Sequence, residues 1–395
     1  MSRLAFAFSE ITNRAPMRKV AGHEPYSRGR RMRHLHNGRG MGVCLALAAL
    51  LMTGVGQAQA PAASGDAATK WQDPSTAPAE ILDIHRIQRS LLLDGTNARD
   101  RAVVVGDRGH ILVSESRSEW RQVPVPTRSM LTAVTAVDNT LWAVGHDQVI
   151  VYSNDGGLTW TLQHHDTMAD GPLLDVLFLD AEHGYAIGAY GQFLSTTDAG
   201  ATWKVETISD RVARAEGSKA AESTSADEMD DSGLASTDVG EDEGDPHLNA
   251  IAQSSAGLLI VGEAGAGYRS QDGGASWERF DLPYEGSMFG AVATDDGAII
   301  AFGLRGNAFS TRDLGRTWTA LDTGTEASLM GGAAVSGGRA VLVGASGTVL
   351  LAPAGSQQLR AYNFADGGVM SAVIPLSDTE FLTIGENGIA KYQPN

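Results

Sequence analysis

Four short segments place an aspartate, a glycine, a hydroxyl residue and a tryptophan at one fixed spacing. They are SNDGGLTW (Ser153–Trp160), TTDAGATW (Thr196–Trp203), SQDGGASW (Ser270–Trp277) and TRDLGRTW (Thr311–Trp318). A carboxylate repeated in this way could hold a cation or move a proton, but the pattern [ST]-x-D-x-G-x-[ST]-W points to a turn. There the Asp oxygens accept bonds from nearby amides, and the Gly supplies a positive φ. The Trp buries its ring while the indole N–H finds an acceptor. Asp155, Gly157 and Trp160, Asp198, Gly200 and Trp203, Asp272, Gly274 and Trp277, and Asp313, Gly315 and Trp318 are therefore read as hairpin frame.

The other reactive types give less. His110, His146, His164 and His165 fall in one stretch and could converge on a metal, but scattered surface histidines explain them equally well. Cys44 is the only cysteine, which removes thiol chemistry from everything after it. No Ser/His/Asp arrangement carries a nucleophile turn. Gly-x-x-Gly recurs, yet no helix follows it to receive a phosphate. No catalytic residue, metal site or cofactor is assigned.

Those Gly-x-x-Gly turns belong to a larger repeat that must position everything else. An apolar run, a Gly, two variable residues, usually a second Gly and another alternating run recur seven times. The copies begin as VVVGDRGHI (Val103–Ile111), WAVGHDQVI (Trp142–Ile150) and AIGAYGQFL (Ala186–Leu194) and end at TIGENGIAK (Thr383–Lys391). The first Gly stands at Gly106, Gly145, Gly188, Gly262, Gly303, Gly344 and Gly385, a period near 41 residues with one long step. Residues 248–283 read as four strands broken by Gly, Asp and Ser turns, the content of one propeller blade. The fold class is all-β, a seven-bladed β-propeller over residues 81–395 with Asp-centred hairpins. The Met residues Met130, Met288, Met330 and Met370 open inner strands and are read as gap fillers between blades. The last repeat stops after its third strand, so the segment around Trp71–Gln88 is expected to complete the last blade. The long step holds residues 209–247, rich in carboxylates and poor in apolar residues. It is expected to be a disordered acidic insertion between blades 3 and 4, on the face bearing the Gly-x-x-Gly turns.

Charge is divided along the chain. Nine of its 30 basic and two of its 47 acidic residues lie before Gln59, so the remainder carries a net charge of −24 from 21 basic and 45 acidic residues. So acidic a body argues against nucleic acid and against direct lipid binding. The basic start, the apolar run Met41–Gly56 and the small residues after it read as an export signal over 1–58, with cleavage after Ala58. Initiation at Met32 would leave a signal of ordinary length; Arg30-Arg31 leaves Sec and Tat export both open. Residues 59–80 read as a Pro/Ala/Ser-rich linker. The protein is expected to be periplasmic in a Gram-negative envelope, or secreted.

The hairpin motifs are those called Asp boxes, which occur in sialidases and other BNR-repeat proteins. The sialidase site needs an Arg triad, a Tyr–Glu pair and an early Arg-Ile-Pro motif. None is visible, and the early segment Ile81–Ser90 lacks the proline. The combination VG-x-x-G-x-[IVLF]-x-x-[ST]-x-DGG-x-[ST]W resembles the Ycf48/HCF136-like family, named for photosystem II assembly factors, and its WD40/YVTN/BNR-like bacterial relatives. The resemblance covers about residues 81–393 and implies an exported, non-enzymatic propeller that helps a membrane complex assemble or work. The photosynthetic members use a basic patch on one face, where this chain is acidic.

The variable pair of each Gly-x-x-Gly turn changes chemistry from blade to blade, as recognition requires. Arg108, His146, Tyr190, Glu263, Arg305 and Glu386 are the candidate binding residues. The reading is a monomeric scaffold, assembly or accessory factor with a protein partner, an envelope membrane complex such as an exporter. The alternative is an extracellular glycan-binding or polysaccharide-acting propeller.

Overall fold

The computed structural model describes residues 72–223, 244–364 and 367–394. The predicted export signal over 1–58 with Met32 and Cys44, the first part of the predicted linker with Trp71, and residues 224–243 of the insertion lie outside them.

Six four-stranded sheets and one three-stranded sheet form the body. Blades 1 to 7 span residues 92–123, 131–164, 173–207, 248–281, 288–320, 329–363 and 370–392. Within a blade, strands A to D are antiparallel and run in chain order from the centre outwards. Strand B is the most buried: 101–106, 140–145, 257–262, 299–303 and 339–344 are apolar runs covered by a blade on each side. Each strand A packs against strand A of the next blade, and that of blade 7 against blade 1, so the ring is closed. Seven apolar clusters fill the gaps between neighbouring blades. Met288 and Met370 are buried in two of them, whereas Met130 and Met330 are only half-buried.

Closure differs from the expectation that the N-terminal segment completes the last blade. Blade 7 has three strands. Residues 72–82 instead line the outside of blade 1: Ala79 N donates to Val125 O, Arg128 N to Pro74 O, and Leu82 N to Gln122 Oε1. Ser75 and Ala77 are buried there, so this part of the predicted linker is packed structure. A short helix α1 (Ile84–Ile87) then fits between blades 7 and 1, with Ile87 fully buried among Leu92, Ile374 and Ile384. Gln88 O accepts from Ile389 N at 3.3 Å, and Ser371 Oγ donates to Leu92 O at 2.9 Å. A few contacts at strand ends thus join the termini. Apolar Ile84 and Ile87 three residues apart suit a helical turn better than an alternating strand.

The insertion also departs from the expected disorder, because its first part is a helix, α2 (Ile208–Ser223). Thr207 and Asp210 form a reciprocal cap: Asp210 N donates to Thr207 Oγ1 and Thr207 N to Asp210 Oδ2, each at 3.1 Å. Ile208 and Val212 pack with Phe193 and Trp277. Arg211 lies over the Phe193 ring and bonds Ser195 Oγ at 2.7 Å and Gly274 O at 3.3 Å. Glu206, with an almost buried side chain, faces Lys204, Arg211 and Arg214. Burial alone would raise its pKa, but the Lys204 and Arg214 hydrogen bonds and the guanidinium charges hold it at about 2. The helix therefore lies on the outer strands of blades 3 and 4, which carries the chain onto the rim rather than across the turn-bearing face.

Candidate functional site

In all seven blades the residue after the first Gly donates its N–H to the carbonyl just before strand A. The pairs are Asp107 to Leu91, His146 to Met130, Ala189 to Pro172, Glu263 to His247, Leu304 to Ser287, Ala345 to Ser328 and Glu386 to Val369. This close approach explains the Gly. A Cβ at Gly145 would stand 1.9 Å from Met130 O, and one at Gly344 2.1 Å from Ser328 O. In blades 1 to 6 the second variable residue is left-handed, from Ala264 at φ 51° to Arg305 and Ser346 at 57°. The turn therefore aims that side chain outwards. Arg108, Tyr190 and Arg305 are exposed and His146 is half-buried.

The two predicted glutamates also brace the backbone. Glu263 Oε1 accepts from His247 N at 3.0 Å, and Glu386 Oε1 from Val369 N at 2.9 Å. Of the six predicted residues, the structure connects Tyr190 and Glu263. His247 Nδ1 accepts Tyr190 N–H at 3.0 Å, its ring meets the Tyr190 ring edge-on at 4.6 Å, and Glu263 Oε1 lies 3.5 Å from Nδ1. Arg108, His146, Arg305 and Glu386 are spread around the ring on other blades. Arg305 borders an open groove of 450 Å³ with Phe309, Asp322, Thr323 and Glu326, beside the two-residue outer strand of blade 5. Sequence reading missed Met168, 87% exposed in the loop before blade 3, and His247, whose role depends on a turn 57 residues away.

The Asp-centred hairpins lie at the C–D turns, on the opposite face. In the third one Ser270 Oγ donates to Asp272 Oδ1 at 2.7 Å and accepts from Gly274 N at 2.8 Å. Ser276 N donates to Asp272 Oδ1 at 3.0 Å, and Trp277 Nε1 to Gly274 O at 3.1 Å. Asp155, Asp198 and Asp313 collect the same bonds. Trp160 Nε1 finds Gly157 O, whereas the indole N–H groups of Trp203 and Trp318 are buried without an acceptor. Every hairpin is also gripped by the preceding blade. Arg101 donates to Asp155 O and Gly156 O, Trp142 and Gln163 to Ala199 O, Tyr185 to Gly273 O and Arg269 to Leu314 O. Blade 6 lacks the motif and joins blade 5 by a parallel bridge from Asp322 to Gln358 instead.

Two carboxylates line the central channel. Asp94 Oδ2 accepts from Val134 N of blade 2, and Asp175 Oδ2 from Ile251 N of blade 4, both at 2.8 Å. Burial pushes Asp94 up to about 7, helped by the charge of Asp175, and pushes Asp175 up to about 6. Both are already engaged as inter-blade acceptors. Among the described residues no three His, Cys, Asp or Glu gather in a metal-binding group. His110 is almost fully buried and His164 half-buried; burial holds both below the ordinary imidazole value.

The chain matches no family model and no curated protein. Solved structures share its shape. The structure of YCF48 bound to D1 peptide matches with a TM-score of 0.57 at 16% identity, over 78% of this chain and 93% of that one. YCF48 from Cyanidioschyzon merolae matches at 0.58 and 14%, over 80% and 99%. The fold is that of YCF48. Selenomethionine-substituted virginiamycin B lyase from Staphylococcus aureus also shares it, at 0.59 and 11%, over 80% and 99%. A propeller of this shape thus serves both the YCF48 proteins and a lyase, and the surface must separate the two.

Proposed function

We propose that the protein is an exported, non-enzymatic propeller that binds a protein partner through its Gly-x-x-Gly face and assists an envelope membrane complex. One observation carries the reading. Seven turns with the same backbone bonds present different side chains, from Arg108 through Tyr190 to Arg305 and Glu386. An invariant scaffold with variable tips is the arrangement of a recognition surface. YCF48, which has this fold, has been seen with a D1 peptide, in line with a protein ligand. The apolar run Met41–Gly56 behind a basic start supports export.

The test is site-specific photocrosslinking in intact envelopes. Probes replace Arg108, Tyr190 and Arg305 on one face, and Glu115 and Thr159 on the other. One membrane protein captured from the first set alone is expected. Equal capture from both faces, or none, would overturn the reading.

A further inference from the structure

Tyr190 differs from the other turn tips in what surrounds it. Its ring is half exposed, 50% by residue, at the same left-handed position as Arg108, Ala264 and Arg305. A Cβ on Gly171 would touch the ring at 3.2 Å, so the loop before blade 3 lies against one side of it. His247 meets it on another side. Three carboxylates lie in the segments that make those contacts: Asp170 next to Gly171, Asp245, which packs on Gly191 next to Tyr190, and Glu263, which accepts from His247 N. Met168 is three residues before Gly171, at most about 10 Å of chain away. From blade 2 to blade 4 the described loops on this face outside α2 carry Asp147, Asp166, Asp170, Asp245, Glu263 and Glu285 and no Lys or Arg, and Arg211 and Arg214 of α2 are paired with Glu206 at the outer strand of blade 3.

We infer that Tyr190 is the anchor for a basic, extended segment of the protein partner, with a Lys or Arg of that segment over the Tyr190 ring and an apolar residue against Met168. An aromatic face attracts a cation within about 6 Å, and ringing carboxylates strengthen the attraction and exclude acidic competitors. Exposed apolar area beside them gives the segment something to bury. The charge pattern selects the occupant: an acidic or neutral segment would meet three carboxylates without compensation. The inference rests on the protein-binding reading and names the partner's chemistry at one sector of that face.

The test uses the full mature chain and two labelled synthetic peptides, one alternating Arg with Leu and one with Glu replacing Arg. Fluorescence anisotropy should show the Arg peptide binding, more weakly at high salt, and the Glu peptide not binding. Tyr190→Ala should weaken binding roughly tenfold, Tyr190→Phe should retain it, and Asp170→Lys should weaken it further. Ala264 already occupies the matching position in blade 4, so the Ala variant has a precedent in this fold, and its melting curve checks folding. No binding of the Arg peptide, equal binding of both peptides, or an unchanged affinity in Tyr190→Ala would overturn the inference. If the peptide fails while envelope crosslinks still form through Arg108 or Arg305, the sector is wrong and the protein-binding reading stands. If the peptide binds at Tyr190 but no envelope protein is captured, the proposed function fails instead.

Discussion

The channel carboxylates make stability fall as pH rises, and Asp94→Asn should remove much of that fall. Asp94 has an ordinary value of 3.8 and is held at about 7 in the folded protein. Below about pH 4 both states carry the proton and the group contributes fully. Above that the unfolded chain releases its proton first, and stability drops until the folded state also ionises near pH 7. Roughly three pH units at about 1.4 kcal/mol each would give about 4 kcal/mol. Asp94 is half-buried by residue, so solvent screening discounts this to about 2 kcal/mol. Asparagine keeps an oxygen for Val134 N–H and cannot ionise. Urea unfolding of both proteins from pH 4 to pH 8 should give a difference that grows up to pH 7 and then levels. His110 and His164, held low by burial, act oppositely up to about pH 6.5, but they are common to both proteins and cancel. Parallel stability curves across this window would refute the burial of Asp94.

Gly145→Ala should cost about 3 kcal/mol or more by urea unfolding, at the upper end for over-packing, because the new Cβ meets Met130 O in a backbone ladder. Gly244→Ala, with nothing within 4 Å, should change stability by less than about 0.5 kcal/mol. Asp272→Ala should cost about 1–3 kcal/mol at pH 7 by losing three hydrogen bonds. Burial opposes ionisation of Asp272 but the Ser276 bonds outweigh it, so its contribution is present above about pH 4 and fades as pH falls further. Arg211→Ala should free α2 from blades 3 and 4, which hydrogen exchange would report as lost protection over residues 208–214 with little change elsewhere. Deleting residues 72–80 should lower the melting temperature by uncovering Val125 and Thr127, and an unchanged melting curve would contradict their packing on blade 1.

What could be read from the residues was whatever each blade repeats. The Gly at 106, 145 and 188 must be Gly because a neighbouring carbonyl occupies the space of a Cβ, and that demand recurs in every blade. The Asp, Gly and hydroxyl residues of the hairpins bond one another within eight residues, so spacing suffices to find them. Features made by pairs of blades left no such trace. Asp94 and Asp175 look like ordinary strand residues until the ring brings Val134 and Ile251 against them. His247 is unremarkable until Tyr190 N–H points at it. The helix α2 did leave a local signal, the Thr207/Asp210 cap around Ile208 with Val212 four residues on, but the acidic composition that follows outweighed it.

The two faces divide the labour. On the C–D face, side chains of one blade hold the hairpin of the next through backbone carbonyls, as Arg101 holds Asp155 and Gly156. Changing a residue there disturbs a joint between blades. On the opposite face each turn is closed by its own blade through a main-chain bond to the carbonyl before strand A, and the bonds added by the next blade, such as His247 to Tyr190 N, also go to the turn's backbone. The tip residue is therefore free to vary, and Arg108, Tyr190, Ala264 and Ser346 occupy one conformation with four chemistries. If stability is separated from recognition in this way, Tyr190→Ala should leave unfolding within about 0.5 kcal/mol of the parent. Trp277→Ala, which empties a site shared by blades 3 and 4, should cost about 3–5 kcal/mol. Comparable losses in the two variants would show that the turn face is also structural, and that its varied chemistry answers to packing rather than to a partner.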